Sequence, residues 1–453
     1  MSDNVMPKAR MQRASVPVVR RGRYSISELF SHVQWSPDFL AFLYYLAAII
    51  TFRVPGAEFA AGVCIVLLLI RIHTLVFPVP LRWFLAFVVW ALFTVIGSQY
   101  AAQSFDAWIV LVKLLVVGIV ASNVVRTREQ FRFALVFCVF CFFIYPFRGA
   151  VTNYLFGYTT FGRALWNYIY ENPNDLAALA MLYASIAVAV GFLYRSALLR
   201  AGALLAALAF VVLVFLTQSR GALVGLALSG LISLITSKRR LKLLVGAGAI
   251  AIASAIFAPA SMWHRLGGLA NISTEDGMTS VDNEASAEQR YQIAQVAYAI
   301  ATENPIIGVG VGVYREAHAV YAAQRSSTLP IAGGKRDAHN TWLRLAAETG
   351  VPGLLLFISM LGSVTLSIRK SLKDASTPAP YRDALRALGL GLLAFFLASM
   401  FGSFAYLNLL YIYIAFIAFL TAPSRPSVKN SSPVRRNFSR GLPSRTASQA
   451  ASV

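Results

Sequence analysis

The chain has 453 residues, 58% hydrophobic and 13% charged, with a mean hydropathy of +0.64. This balance excludes a soluble globular protein and marks a polytopic membrane protein. The formal charge of +21 invites a nucleic-acid partner, but its placement along the chain, set out below, excludes one.

Residues 1–37 carry Lys8, Arg10, Arg13, Arg20, Arg21 and Arg23 with little apolar periodicity, and are expected to form a disordered basic cytoplasmic tail. Runs apolar enough to cross hydrocarbon then recur about twelve times: near 38–52, 57–70, 83–98, 106–124, 133–147, 174–194, 201–217, 220–237, 243–258, 342–368, 384–403 and 405–421. No small-residue cleavage site follows the first run, so it is expected to stay as an anchor. Cys64, Cys138 and Cys141 all fall inside apolar runs, where a thiol packs as a small hydrophobe, and no disulfide framework is expected. The domain layout is therefore spans 1–9 over 38–258, a long loop over 259–340, spans 10–12 over 341–421, and a second disordered basic tail over 422–453.

That second tail holds Arg425, Lys429, Arg435, Arg436, Arg440 and Arg445 with no acid. Basic tails stay cytoplasmic. Alternating from there, each inside loop is basic: Arg71 and Arg82; Arg126, Arg128 and Arg132; Arg195 and Arg200; Lys238, Arg239, Arg240 and Lys242; Arg369, Lys370, Lys373 and Arg382. The 259–340 loop has six Lys/Arg against eight Asp/Glu and comes out extracytoplasmic. The basic excess is thus topological, with attraction to anionic lipid as a by-product.

Residues 148–173 are dense in aromatics, among them Tyr154, Phe156, Tyr158, Phe161, Trp166, Tyr168 and Tyr170, and read as a loop at the membrane interface, with sugar stacking or a lipid-headgroup groove as the sharper alternative. In the long loop, Ile293, Val296, Ala297 and Ile300 recur at a helical period until Asn304-Pro305 stops the pattern, which predicts an amphipathic helix over 286–303. Gly308, Gly310 and Gly312 follow. With no Lys-Ser/Thr after them they read as a tight turn packed on the bundle and not as a phosphate loop.

Four kinds of residue invite chemistry. Arg220, in Ser219-Arg220-Gly221-Ala222, lies where spans seven and eight meet with almost no loop between them. An arginine so close to hydrocarbon costs up to about 2.5–3.5 kcal/mol, and a diphosphate is a partner its planar fork fits. Arg290 opens the amphipathic helix and is the best-placed loop arginine for a second phosphate contact, in competition with Arg265, Arg315, Arg325 and Arg336. His339, at the start of span ten and followed by Asn340, suits a general base acting on a hydroxyl. Arg344 and Glu348, spaced i, i+4, read as a structural ion pair of a few tenths of a kcal/mol. Lys113, inside span four, reads as snorkelling or facing a polar cavity. His264, His318 and His339 have no metal-ligand spacing, and no metal or other cofactor is expected.

The pattern His339-Asn340, nine residues, then Gly350-x-x-Gly353, with the Ser-Arg-Gly-Ala turn at 219–222, Asn172-Pro173-Asn174 and Glu303-Asn304-Pro305-Ile306-Ile307-Gly308-Val309-Gly310, resembles the O-antigen ligase and polymerase superfamily. The resemblance covers roughly residues 160–360. It implies an all-α, GT-C-like transmembrane bundle of about twelve spans with one long extracytoplasmic loop between spans 9 and 10. It also implies a metal-independent, inverting glycosyltransferase that draws on a polyprenyl-diphosphate-linked glycan at the periplasmic face of a bacterial inner membrane. By position, Arg220 and Arg290 would bind the diphosphate and His339 would deprotonate the acceptor hydroxyl; Asn340, Arg265 and Arg336 complete the candidate binding set. The favoured acceptor is lipid A-core, as in a ligase. A polysaccharide polymerase, a protein O-oligosaccharyltransferase and, from another class, a membrane transporter are the alternatives.

Overall fold

The computed structural model describes residues 26–236, 248, 286–325 and 333–422. The first described elements are α1 (Ser27–Phe30), α2 (Pro37–Thr51), α3 (Ala57–Leu69), α4 (Val79–Ile96), α5 (Ala101–Val124), α6 (Arg128–Phe142) and α7 (Arg148–Leu155). Then follow α8 (Pro173–Leu193), α9 (Ala197–Leu216), α10 (Arg220–Thr236), α11 (Ser286–Glu303), α12 (Tyr314–Arg325), α13 (Thr341–Lys373), α14 (Ala379–Ala398) and α15 (Asn408–Thr421). Among the described residues six helical segments are long and apolar enough to cross a membrane: α4, α5, the continuous α6–α7 segment, α8, α9 and α13. Four shorter apolar helices, α2, α3, α10 and α15, accompany them. The expected run at 243–258, the Arg265 region and both tails beyond 26–422 lie outside the described residues.

α8 is the axis of the bundle. Its sequence carries almost no periodicity because nearly every side chain from Leu176 to Ala187 is buried, the mark of a helix surrounded on all sides. It packs against α9, α14, α6 and α10. Asn172 caps its start, accepting from the Asn174 N–H at 2.9 Å, and Pro173 occupies the first turn. At its other end the Arg132 guanidinium lies 4.2 Å from the Tyr194 ring. With 21 residues the helix spans about 30 Å, the thickness of a hydrocarbon core.

The end of the bundle marked by Tyr194 is held by charge. Buried Asp38 pairs with Arg126 and, at 3.6 Å, with Arg71. Glu28 accepts from Arg132 at 2.8 Å and from the backbone N–H groups of Arg195 and Ser196, which lie just ahead of α9. Lys113, midway along α5, is exposed, where its long stem can snorkel.

Three boundaries differ from the sequence expectation. The loop expected from 148 begins after Leu155 instead, because a π-turn over Phe143–Phe147 absorbs Pro146 and lets the helix continue into α7. The span expected to reach 403 ends at Ala398: Thr341 draws the following segment into a turn by donating its N–H to the Ser399 carbonyl at 2.9 Å and its hydroxyl to the Gly402 carbonyl at 2.7 Å. The span at 342–368 is two helical pieces joined at Gly350, whose φ of 67° and ψ of −177° are not helical.

That break explains the glycine-rich stretch before it. Pro352 has no N–H, so the Glu348 carbonyl loses its helical donor, and the Val351 N–H is turned away to the Pro305 carbonyl at 2.8 Å. The orphaned carbonyls of Ala347 and Glu348 accept instead from the N–H groups of Val309 at 2.9 Å and Gly310 at 3.0 Å. The Thr349 carbonyl accepts from the Trp90 indole at 2.9 Å. Ser98 and Thr94 of the α4 end bind the same stretch, at the Val309 carbonyl and the Val311 N–H. Residues 305–313 are therefore the expected packed turn, clamped between α4 and the broken helix. α11 and α12 pack beside it through Ile293, Val296, Ala297, Ile300, Tyr314 and Ala317.

Candidate active site

Where α8, α12, α13 and the turn after α14 meet, a cavity of about 340 Å³ is lined by Asn172, Asn174, Asp175, Arg315, Asp337, His339, Arg344, Gly402 and Ser403. Its wall holds two carboxylates, two guanidiniums, an imidazole and two carboxamides. Groups of this kind, aimed at one volume, match hydroxyl-bearing or anionic substrates.

His339 sits in the left-handed region at φ 47°, a conformation that costs a side-chain-bearing residue about 1–3 kcal/mol. The backbone is held there because Asn340 immediately starts α13, its Oδ1 accepting from the N–H groups of Trp342 at 3.0 Å and Leu343 at 3.1 Å. Asp337 Oδ2 lies 3.9 Å from His339 Nδ1, and Asp337 Oδ1 accepts from Arg344 Nη1 at 3.2 Å. Burial pulls the His339 pKa below its ordinary value of 6.5; Asp337 opposes that pull and the charge of Arg290 adds to it. Burial thus disfavours the charged imidazole, and the neutral form is the one a base requires.

Arg344 is not the surface-type pair its i, i+4 spacing suggests. Its Nε donates to Glu348 Oε1 at 2.8 Å, and Glu348 is wholly buried. Glu348 Oε2 accepts from the Tyr406 hydroxyl at 2.7 Å, and the Arg344 guanidinium lies 5.0 Å from the Tyr406 ring. A fully hydrogen-bonded buried cluster of this kind is worth far more to break than a solvated pair.

The other expected residues divide. Arg220 opens α10 and is half-buried. Its neighbour Ser219 donates to Asn174 Oδ1 at 2.9 Å, in a bond shared with Arg163 Nη2 at 2.8 Å. On its other side Gly221 packs so tightly on Phe401 that a Cβ would overlap that ring. Asn174 lines the cavity and Phe401 directly precedes the lining residues Gly402 and Ser403, so Arg220 stands beside the cavity, although neither Arg220 nor Arg290 is among its lining residues. Arg290, on α11, is near enough for its charge to act on His339. Arg336 is exposed and donates its Nε to the Gly333 carbonyl at 3.2 Å, outside the cavity wall. The Asn340 carboxamide oxygen is taken up by the helix cap. Arg265 lies outside the described residues.

Asn174, Asp175, Asp337, Gly402 and Ser403 are cavity residues that the sequence did not single out as site residues, and Arg315 was only a competitor. Asp337 had a signal, standing two residues before His339. Asp175 had one too, directly following Asn172-Pro173-Asn174, whereas Ser403 had none, since the turn after α14 comes to the cavity only through packing.

The family model described as O-antigen ligase matches residues 204–358, about a third of the chain. Over those residues the chain is similar to O-antigen ligases. Its match includes Arg220, Arg290, Arg315, His339, Arg344 and the whole clamped turn, whereas α8 and the turn after α14 lie outside it. The cavity is thus built by the matched region against α8 and the turn after α14, which the match does not reach. The match agrees with the resemblance read from the His-Asn and Gly-x-x-Gly patterns, both of which it contains. Among curated proteins, none matches this chain.

Proposed function

We propose that the chain is a glycosyltransferase of ligase type that moves a glycan from a polyprenyl diphosphate carrier to a hydroxyl of lipid A-core. The observation that supports this reading most is the meeting of His339 with Arg315 and Arg344 in one polar cavity at an end of a transmembrane bundle. A lipid tail can stay in hydrocarbon there while the sugars enter a polar cavity.

In this reading the acceptor O–H gives its proton to His339 as the oxygen attacks the anomeric carbon. The bond from that carbon to the diphosphate oxygen breaks on the opposite face, with inversion, and its electron pair leaves on the diphosphate. Arg220 and Arg290 stabilise the charge that gathers there, so the step needs no metal. The basic residues Arg71, Arg126, Arg132 and Arg195 sit around the opposite end of the bundle, which supports a cytoplasmic location for that end and a periplasmic one for the cavity. The membrane is then a bacterial inner membrane.

The test is transfer by purified protein from a lipid-linked oligosaccharide, in EDTA, to each acceptor in separate reactions. Transfer to lipid A-core that falls about 100-fold or more in His339→Ala and Arg220→Ala is expected. Growth of the lipid-linked glycan alone would make the protein a polymerase, and substrate flux insensitive to both substitutions would make it a transporter.

A further inference from the structure

We propose that Asp337 and Arg344 are positioning residues for His339, the outer links of a charge chain that is anchored on Glu348 and completed when the imidazole takes a proton. The inference rests on His339 being the base of the transfer. The chain runs from the Tyr406 hydroxyl to Glu348 Oε2, from Glu348 Oε1 to Arg344 Nε, and from Arg344 Nη1 to Asp337 Oδ1, leaving Asp337 Oδ2 3.9 Å from His339 Nδ1.

Counting charge along it gives the reason. Glu348 and Arg344 cancel, and Tyr406 is neutral. Asp337 is left with one negative charge directed at an imidazole that is neutral at rest. A purely structural cluster would close on itself; this one closes on an imidazolium, the species formed as the acceptor hydroxyl is deprotonated. A carboxylate at Nδ1 also favours the tautomer with its proton on that nitrogen, which leaves Nε2 to receive the acceptor's proton.

The remaining groups around the imidazole do not substitute for Asp337. Arg290 of α11 acts against protonation. Arg315 of α12 and Asp175 of α8 line the same cavity, but Asp337 is the carboxylate within ion-pair distance of the ring among the described residues. The left-handed backbone at His339 fits the same reading, because strain of that kind is kept where a side chain must be held in one place.

The test uses the full chain in lipid nanodiscs with isotope-labelled histidine, His339→Gln serving to assign the His339 signal. Asp337→Asn is expected to lower the His339 titration midpoint by about one unit. It should also move the acid limb of kcat/KM in the same direction and reduce kcat about 10- to 100-fold at unchanged KM, with Asp337→Glu restoring most of the loss. An unmoved midpoint in Asp337→Asn overturns the proposal even if His339→Ala abolishes transfer. A moved midpoint with kcat unchanged also overturns it. A moved midpoint in a protein that transfers to no acceptor sustains the Asp337–His339 coupling and overturns the transferase reading instead.

Discussion

The Gly310 N–H donates at 3.0 Å to the carbonyl of Glu348, the carbonyl that Pro352 leaves without a helical donor. One bond therefore ties the glycine turn to the helix that carries Arg344 and follows His339. Glu348 takes part in both features, its carbonyl accepting from the glycine turn and its side chain accepting from Arg344.

Gly350 is the residue that permits the break. Its φ of 67° and ψ of −177° fall in a region essentially closed to side-chain-bearing residues, and a Cβ there would overlap the Ile306 carbonyl. Gly350→Ala is expected to cost at least about 2–3 kcal/mol. The expected outcome is a lower thermal unfolding temperature in detergent and a loss of monodisperse protein, whereas Gly362→Ala, with open space around its Cα, leaves both unchanged.

Glu348 holds the Arg344 guanidinium, the Tyr406 hydroxyl and, at 3.4 Å, the Tyr314 N–H. Glu348→Ala leaves a buried guanidinium without its main anion and is expected to destabilise by about 3–5 kcal/mol. Glu348→Gln keeps the shape and one acceptor and should cost less. Equilibrium unfolding in mixed micelles would measure the difference; equal costs for the two would show that shape and not charge matters there.

Asn340 acts through the helix cap. Asn340→Ala is expected to lose about 1 kcal/mol of stability, and Asn340→Asp, which keeps the acceptor oxygen, should retain nearly all of it. Binding of a lipid diphosphate, followed by tryptophan fluorescence, should be unchanged in Asn340→Asp. A tenfold loss of binding in that variant would instead put Asn340 in contact with substrate.

His339 and His318 both titrate below 6.5 in the folded chain, chiefly because burial disfavours their charged forms. The unfolded chain binds protons more readily than the folded one, so the stabilisation is complete above about 6.5 and is lost as pH falls through 6.5 towards the folded values, flattening below them. Thermal midpoints should drop between about pH 7 and pH 5, and the drop should shrink in His318→Gln. Transfer should keep its full rate to a lower pH than an exposed histidine would allow.

The six candidate spans among the described residues were legible because hydrocarbon demands long apolar runs, and any such run announces itself. His339, Asn340, Arg220 and the glycine turn were legible for a different reason: they fall on a motif within one stretch of chain. Arg344 and Glu348 were visible as a pair but not as a buried cluster, since i, i+4 spacing carries no information about what closes over it. Lys113 could be placed in a span by sequence, but its exposure could not be read there. The 148–155 segment misled because proline and a crowd of aromatics look like a loop, whereas a π-turn keeps the helix intact.

The sequence by itself determined that this chain belongs in a membrane, and that a His-Asn pattern similar to that of O-antigen ligases starts one of its helices. Those properties depend on composition and on neighbours along the chain. Only the tertiary structure decided what faces His339. Asp175 comes to it from α8, more than 160 positions earlier, and Gly402 and Ser403 from a turn more than 60 positions later. Those distances are closed by helix packing and by Thr341 bonding to Ser399 and Gly402, and contacts made across a bundle leave no periodicity or spacing to read.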